Sequence, residues 1–270
     1  MRYLEIPQGT NMIDKYEYSH IRDLEEVVMP NSVERIDRHA FYNCRALKKV
    51  TLPGHLKQIE DGAFKNCHEL YDIVVDASEG ETRCIKNVIN DMSHQICISV
   101  VHKDGMAKLV VPGYMYDYEL DVCSKVFHEV PIGSGHAYQN CVGREEISYS
   151  EYDWLFFMAK NEEHINTVYE LAMNRLMFPY KLEENDKRKY VAFLQENGDG
   201  FIRRMINENN QQALRLAGDY ELFVEWAMDD YLSMASEQKK IETMAFLMEY
   251  RNKHFSQMDQ EFSFDQEFEF

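Results

Sequence analysis

The chain has 270 residues, 45% of them hydrophobic and 13% aromatic, which is enough apolar material for one large domain or two to three smaller ones. Forty-seven acidic against 29 basic residues leave a formal net charge of −18, so the surface repels phosphate backbones and nucleic acid is excluded as an expected partner. No run of about eighteen uncharged apolar residues occurs and the start "MRYLEIPQGT" has no apolar signal core; no membrane span is expected, and the expected location is cytoplasmic.

The first 76 residues repeat themselves. Pro7, Pro30 and Pro53 fall at an offset of 23, as do Ile13, Ile36 and Ile59, then Leu24, Leu47 and Leu70, then Val27, Val50 and Ile73. A unit this short cannot bury its own apolar face, so copies at a fixed period must stack as a solenoid. Each copy reads as a short strand ended by proline, a turn, and then I-x-x-x-A-F-x-x-C on the far side. The pattern predicts an internal aromatic row of Tyr18, Phe41 and Phe64, with Ile21, Cys44 and Cys67 beside it. In the first unit "EYSHI" replaces "AFYNC", which marks that unit as an atypical terminal copy.

In a parallel ladder the residues 23 positions apart lie side by side. The outward positions therefore form the rows Glu25, Lys48, Tyr71, then Glu26, Lys49, Asp72, then Val28, Thr51, Val74. Glu25 with Lys48 and Glu26 with Lys49 can neutralise each other across strands. Alternatively, an exposed Tyr71 beside Val28, Thr51 and Val74 suits an interface anchor, and Glu25, Val28, Lys48, Thr51, Tyr71 and Val74 are the candidate partner-binding residues.

The pattern L-x-x-I-x-h-P-x-x-h-x-x-I-x-x-x-A-F-x-x-C resembles the BspA-like (Treponema pallidum type) leucine-rich repeat, well over Leu24 to about Val75 and in degenerate form over Met1 to Asp23. The resemblance implies a solenoid with a parallel sheet on one face, a role in protein recognition often at a cell surface, and no catalytic residues.

Beyond Asp76 the period is lost, and "ASEGETR" reads as a loop ending the module. Alternation on both sides of Asp104-Gly105 predicts a hairpin, with strands near Gln95 to His102 and Met106 to Val111. The mixed, aromatic stretch from Tyr114 to Val142 has no assigned structure and is expected to cap the solenoid. From Ser150 the character is helical, and Ser150 with Asp153 resembles a capping box.

A second repetition follows at an offset of 76: "MAKNEEHINTVYELAMNR" (158–175) matches "MASEQKKIETMAFLMEYR" (234–251), each predicted as a helix end, a polar turn and an amphipathic helix. Ile165, Val168, Leu171, Ala172 and Leu176 in the first copy, and Ile241, Met244, Ala245 and Met248 in the second, are the expected packing faces. "FIRRMINENNQQALRLAG" offers a shorter hairpin between them. The region from about Gly133 to Phe255 resembles the ankyrin-like helical part that accompanies leucine-rich repeats in a group of bacterial proteins.

The predicted architecture is thus α+β: a leucine-rich-repeat solenoid (1–76), a β-containing middle segment (77–148), a helical-hairpin array (149–255) and an acidic, phenylalanine-rich tail (256–270).

Signatures of chemistry are weak. Gly133-Ser134-Gly135-His136 lacks the ending of a phosphate loop and the spacing of a dinucleotide loop, and Ser134 is not in G-x-S-x-G. "ENGDGF" lacks the alternating acids of a calcium loop. Asp229 and Asp230 are adjacent, and so point to different sides of a helix. Six cysteines never form C-x-x-C and are expected as reduced thiols. No cofactor or metal is expected. The leading expectation is a non-enzymatic protein-interaction module with a protein partner. The alternatives are an enzyme with a site around Ser134, His136 and Tyr138, and a cell-surface adhesin.

Overall fold

A computed structural model describes residues 2–78, 85–121, 126–143 and 146–255, with the side chains of 118–130 left aside. Two compact units divide the chain, Met1–Lys187 and Arg188–Phe270. Cys84, Cys123 and the acidic tail lie outside the described residues.

The first unit opens with strands β1 (Tyr3–Glu5), β2 (Met12–Ile13), β3 (Glu26–Val28), β4 (Arg35–Ile36), β5 (Lys49–Pro53), β6 (Gln58–Ile59) and β7 (Asp72–Asp76). The odd-numbered strands pair in parallel, with Leu4 beside Val27, Val27 beside Val50 and Val50 beside Ile73. The even-numbered ones form a second, three-stranded parallel sheet. These are the coils that the 23-residue period requires. After each strand-ending proline the carbonyls of Pro7, Pro30 and Pro53 accept from the N–H groups of Thr10, Val33 and Leu56, at 3.2, 3.1 and 3.2 Å. Proline closes each turn as acceptor while withholding the N–H that would prolong the ladder.

Inside, the predicted aromatic row is present. Tyr18 stacks on Phe41 with ring centroids 5.5 Å apart, and Phe41 on Phe64 at 5.3 Å, nearly parallel. Cys44 and Cys67 point their thiols at the carbonyls of Tyr18 and Phe41, at 3.1 and 3.2 Å. Burial pushes the Cys67 thiol up to about 12. Two positions per coil take left-handed backbone: Tyr16, His39 and Gly62 in one row, and His20, Asn43 and Asn66 in the other. The asparagines before the cysteines are thus turn residues, a type that tolerates positive φ.

The coil after β7 departs from the pattern. The short helix α1 (Ile85–Ile89) and the residues after it cover the second sheet: Asn87 Nδ2 donates to the Ile59 carbonyl at 2.9 Å, and the N–H of Phe64 donates to Asp91 Oδ2 at 3.3 Å. β8 (Ile96–His102) then joins β7 in parallel, Asp72 now beside Cys97, and β9 (Gly105–Val111) returns antiparallel. The hairpin stands as expected, but Lys103 and Asp104 form its turn without positive φ. Gly105 answers a different need, since a Cβ there would sit 3.1 Å from the Tyr180 ring.

β10 (Met115–Asp121) and β11 (Val126–Ile132) pair as a separate antiparallel hairpin. Helix α2 (Gly135–Asn140) follows, and its Gln139 Nε2 donates to the carbonyls of Ile89 and Met92, at 3.1 and 2.9 Å. Then come α3 (Tyr149–Trp154), α4 (Phe156–Glu162) and α5 (Ile165–Met177). The capping box expected at Ser150 does not form: α3 starts two residues earlier, after Ser148, and Asp153 is buried against Arg175 instead. Helix α5 turns Val168, Leu171, Ala172 and Leu176 inward as expected, while Ile165 stays exposed at its start. His164 is exposed and its Nδ1 accepts from the N–H of Asn166 at 3.2 Å, capping α5.

The helix α6 (Glu184–Glu196) carries the chain from the first unit into the second, which continues with α7 (Gly198–Asn207), α8 (Gln211–Asp219), α9 (Met228–Glu237) and α10 (Ile241–His254). Helices α7 with α8, and α9 with α10, are two of the three predicted hairpins, and α4 with α5 in the first unit is the other. "ENGDGF" is the helix-helix turn around Asn197. On α10 the helix is right and the face is wrong: Thr243, Leu247 and Tyr250 are buried, whereas Ile241 is 80% and Met248 48% exposed. Thr243 explains part of the difference, since its hydroxyl accepts from Gln211 Nε2 at 2.6 Å and lies 3.2 Å from Asn209 Oδ1, so a polar residue holds the packing face.

Candidate partner-binding face

The outer face of the six-stranded sheet carries the expected rows. Glu26, Lys49 and Asp72 stand side by side in register with Cys97, and Val28, Thr51 and Val74 with Ser99. The cross-strand neutralisation is half as expected. Lys49 reaches Glu26 at 2.8 Å, but Glu25 lies 3.5 Å from Arg2 and Lys48 is exposed. Val28, Thr51 and Val74 are half-buried. Burial raises the Asp72 carboxyl above its ordinary range, opposed by the ammonium groups of Lys108 and Lys49.

The two ends of this face differ. Over β8 and β9 it is covered by α5: Cys97 and Val110 are buried, and the Lys108 ammonium lies 6.0 Å from the Phe178 ring centroid just beyond that helix. Tyr71 belongs to this covered end, which corrects the expectation of an exposed aromatic. Its hydroxyl donates to Glu170 Oε2 on α5 at 2.9 Å. Gln95 Nε2 donates to the same oxygen at 2.7 Å, and Thr167 Oγ1 donates to Gln95 Oε1 at 2.7 Å. Burial pushes the Tyr71 phenol well above its usual value. Toward β1, β3 and β5 the face is open, with Glu25, Val28, Lys48 and Thr51 on it.

The three residues of the enzymatic alternative are placed apart in role. Both the N–H and the hydroxyl of Ser134 donate to Glu163 Oε1 at 2.7 Å. His136 is half-buried against the edges of Tyr114 and Tyr116. Tyr138 is fully buried, packs edge-on to Tyr152, and its hydroxyl has no hydrogen-bond partner among the described residues. Gly135 is demanded by packing, since a Cβ would lie 2.1 Å from the Pro112 carbonyl oxygen. A serine whose hydroxyl is spent on a carboxylate and a tyrosine facing the core do not converge on a reacting atom. Among the described residues no group of three or more His, Cys, Asp or Glu could hold a metal ion.

Sequence reasoning missed the pair Asp153 and Arg175. Arg175 Nε and Nη2 donate to the two carboxylate oxygens of Asp153 at 2.7 and 2.8 Å, and Nη1 to the carbonyls of Phe178 and Tyr180 at 3.2 and 3.3 Å. The signal was present: extending the 76-residue repetition a few residues upstream aligns Asp153 with Asp229, as Arg175 aligns with Arg251.

A coiled parallel sheet with prolines and left-handed turns in register defines a leucine-rich-repeat architecture. Residues 1–97 match the model of the BspA type leucine rich repeat region, in six copies, so this part of the chain is a BspA-type solenoid. It is also similar to the crystal structure of a leucine rich cell surface protein from Faecalibacterium prausnitzii A2-165, at 27% identity over 29% of this chain, with a TM-score of 0.23; the likeness spans 27% of that protein's chain. No curated protein matches. Among the described residues no helix is long and apolar enough to cross a membrane.

Proposed function

We propose that this chain is a non-enzymatic interaction module that engages a protein partner through the open end of the outer sheet face, with Glu25, Val28, Lys48 and Thr51 in the contact and Val74 and Tyr71 at its rim. The observation that carries the reading is the asymmetry of that face. α5 covers it over β8 and β9, while the rows on β1, β3 and β5 stay open, offering small apolar groups between charged ones over a rigid ladder. Repeats of this kind build extended binding surfaces from neighbouring coils. Tyr71 serves to fix α5 at the edge of the contact and does not anchor the partner.

The test is a charge-reversed, enlarged surface, Lys48→Glu with Thr51→Arg, whose melting curve must match that of the parent. Capture of partners from the native cell is then compared with the parent and with a control changed at Ile241 of α10. Loss of the same bound protein in the sheet variant alone supports the reading. Equal capture by the sheet variant overturns it.

A further inference from the structure

A hollow of about 290 Å³ lies at the β8–β9 turn in the first unit, away from the open sheet face, lined by Ala77, Ser78, Ile147 and a ring cluster with four charged side chains. His102 stacks on Tyr180 with centroids 4.0 Å apart, and its Nε2 lies 2.9 Å from the Tyr149 hydroxyl. Gly105 lets Tyr180 come this close, because a Cβ there would press on the ring. Burial lowers the His102 imidazole below its usual value, with Asp104 opposing and Lys181 acting in the same direction.

The charges around the stack are two cations, Lys103 and Lys181, and two anions, Asp104 and Glu146. None of the four closes an ion pair among the described residues, although all line one hollow in a chain rich in charge. Lys181 holds left-handed backbone, φ +50°, as do the turn residues of the solenoid coils. Its ammonium rests 5.6 and 5.9 Å from the Tyr180 and Tyr149 ring centroids. The hollow is therefore an aromatic floor under a rim of two cationic and two anionic side chains. A simple dianion or dication would meet two like charges there, whereas a molecule bearing one charge of each sign meets a partner for both.

We propose that this hollow binds a small zwitterion of the free amino acid class, its carboxylate on Lys103 and Lys181, its ammonium on Asp104 and Glu146, and its side chain on the His102, Tyr149 and Tyr180 rings. The volume stands at the small end of ligand sites, which suits a single amino acid.

Calorimetric titration of the full chain with glycine, L-leucine, L-phenylalanine and L-glutamine tests it, followed by the N-acetyl and the amide forms of whichever binds tightest. The expected result is saturable binding of at least one of the four, weakened about tenfold or more by masking either charged end, which corresponds to the loss of one charge-assisted contact. The variants Lys103→Gln with Lys181→Gln, and Asp104→Asn with Glu146→Gln, keep shape and exposure and are checked by melting curve; each pair should weaken binding to the same degree. Absence of binding by all four, equal binding of the acetylated form, or binding unchanged in either variant overturns the proposal. None of these outcomes bears on the sheet face, which shares no residue with the hollow.

Discussion

Asp153 grips Arg175 through two short bonds, and the same pair recurs 76 positions later, where Arg251 Nη1 donates to Asp229 Oδ1 at 2.7 Å. The first pair has no exposed surface to speak of, at 0% and 1%, and the second is open to solvent at 45% and 83%. One sequence relationship is therefore placed in two dielectric settings. Removing one partner of a buried pair strands a charge, at a cost of about 3–5 kcal/mol, whereas an exposed pair contributes about 0–1 kcal/mol. Asp153→Ala should destabilise the first unit by the larger amount and Asp229→Ala the second by the smaller. Denaturant unfolding of both variants checks this; equal losses would contradict the burial argument.

Replacing Phe41 or Phe64 by Ala removes one plate from the stacked row, and the expected cost is about 3–5 kcal/mol. The change in denaturation midpoint reads it, with Lys48→Ala as a surface control that should stay within about 0.5 kcal/mol.

Gly62 has φ +70°, and a Cβ on it would lie 2.8 Å from the His39 ring. Gly62→Ala should therefore cost about 1–2 kcal/mol for the left-handed backbone, plus the clash. Adding His39→Ala should recover the clash and leave the backbone share, so the double variant is expected to be more stable than the sum of the two single losses. Simple additivity would mean that the ring does not press on that site.

The thiols of Cys67, Cys97 and Cys141 are each pushed up to about 12 by burial, from an ordinary 9.0. A raised value in the folded state means that stability is intact below pH 9.0 and is lost as pH climbs toward about 12. In native protein at pH 8, alkylation should spare Cys44, Cys67, Cys97 and Cys141, which are free and buried, and should reach them on denaturation. Fast native labelling of Cys67 would overturn the inward placement of its row.

Tyr71→Phe removes the donor to Glu170 and leaves Gln95 as that carboxylate's remaining donor in this cluster, which should cost about 1 kcal/mol. Hydrogen exchange of α5 amides should quicken in this variant. No change there would separate Tyr71 from the seating of that helix.

The solenoid was legible because each of its rows is a local statement repeated: Phe41 and Phe64 announce their contact by sharing a register. The covering of Tyr71 by Glu170 was not, since nothing in residues 71 and 170 marks them as neighbours before α5 has packed. α10 shows a further limit. Apolar spacing pointed to Ile241 and Met248, but Thr243 is inside, because a hydroxyl with two polar partners is as well placed in a core as a methyl group. Gly105 marked the hairpin in the sequence, but the neighbour that requires a glycine there, Tyr180, lies 75 residues away.

The coil between β7 and β8 pairs Asp72 with Cys97, an offset of 25, where the earlier coils pair at 23. Because side chains alternate across a strand, Cys97 still continues the outward row of Asp72 and Ile98 the inward row of Ile73. The two added residues are therefore taken up between the strands, and the ladder itself tolerates no slip: sliding β8 by one position against β7 would turn Cys97 inward and Ile98 outward. Coil length in this solenoid is thus free to vary in the connections while the strand register is held by the buried row.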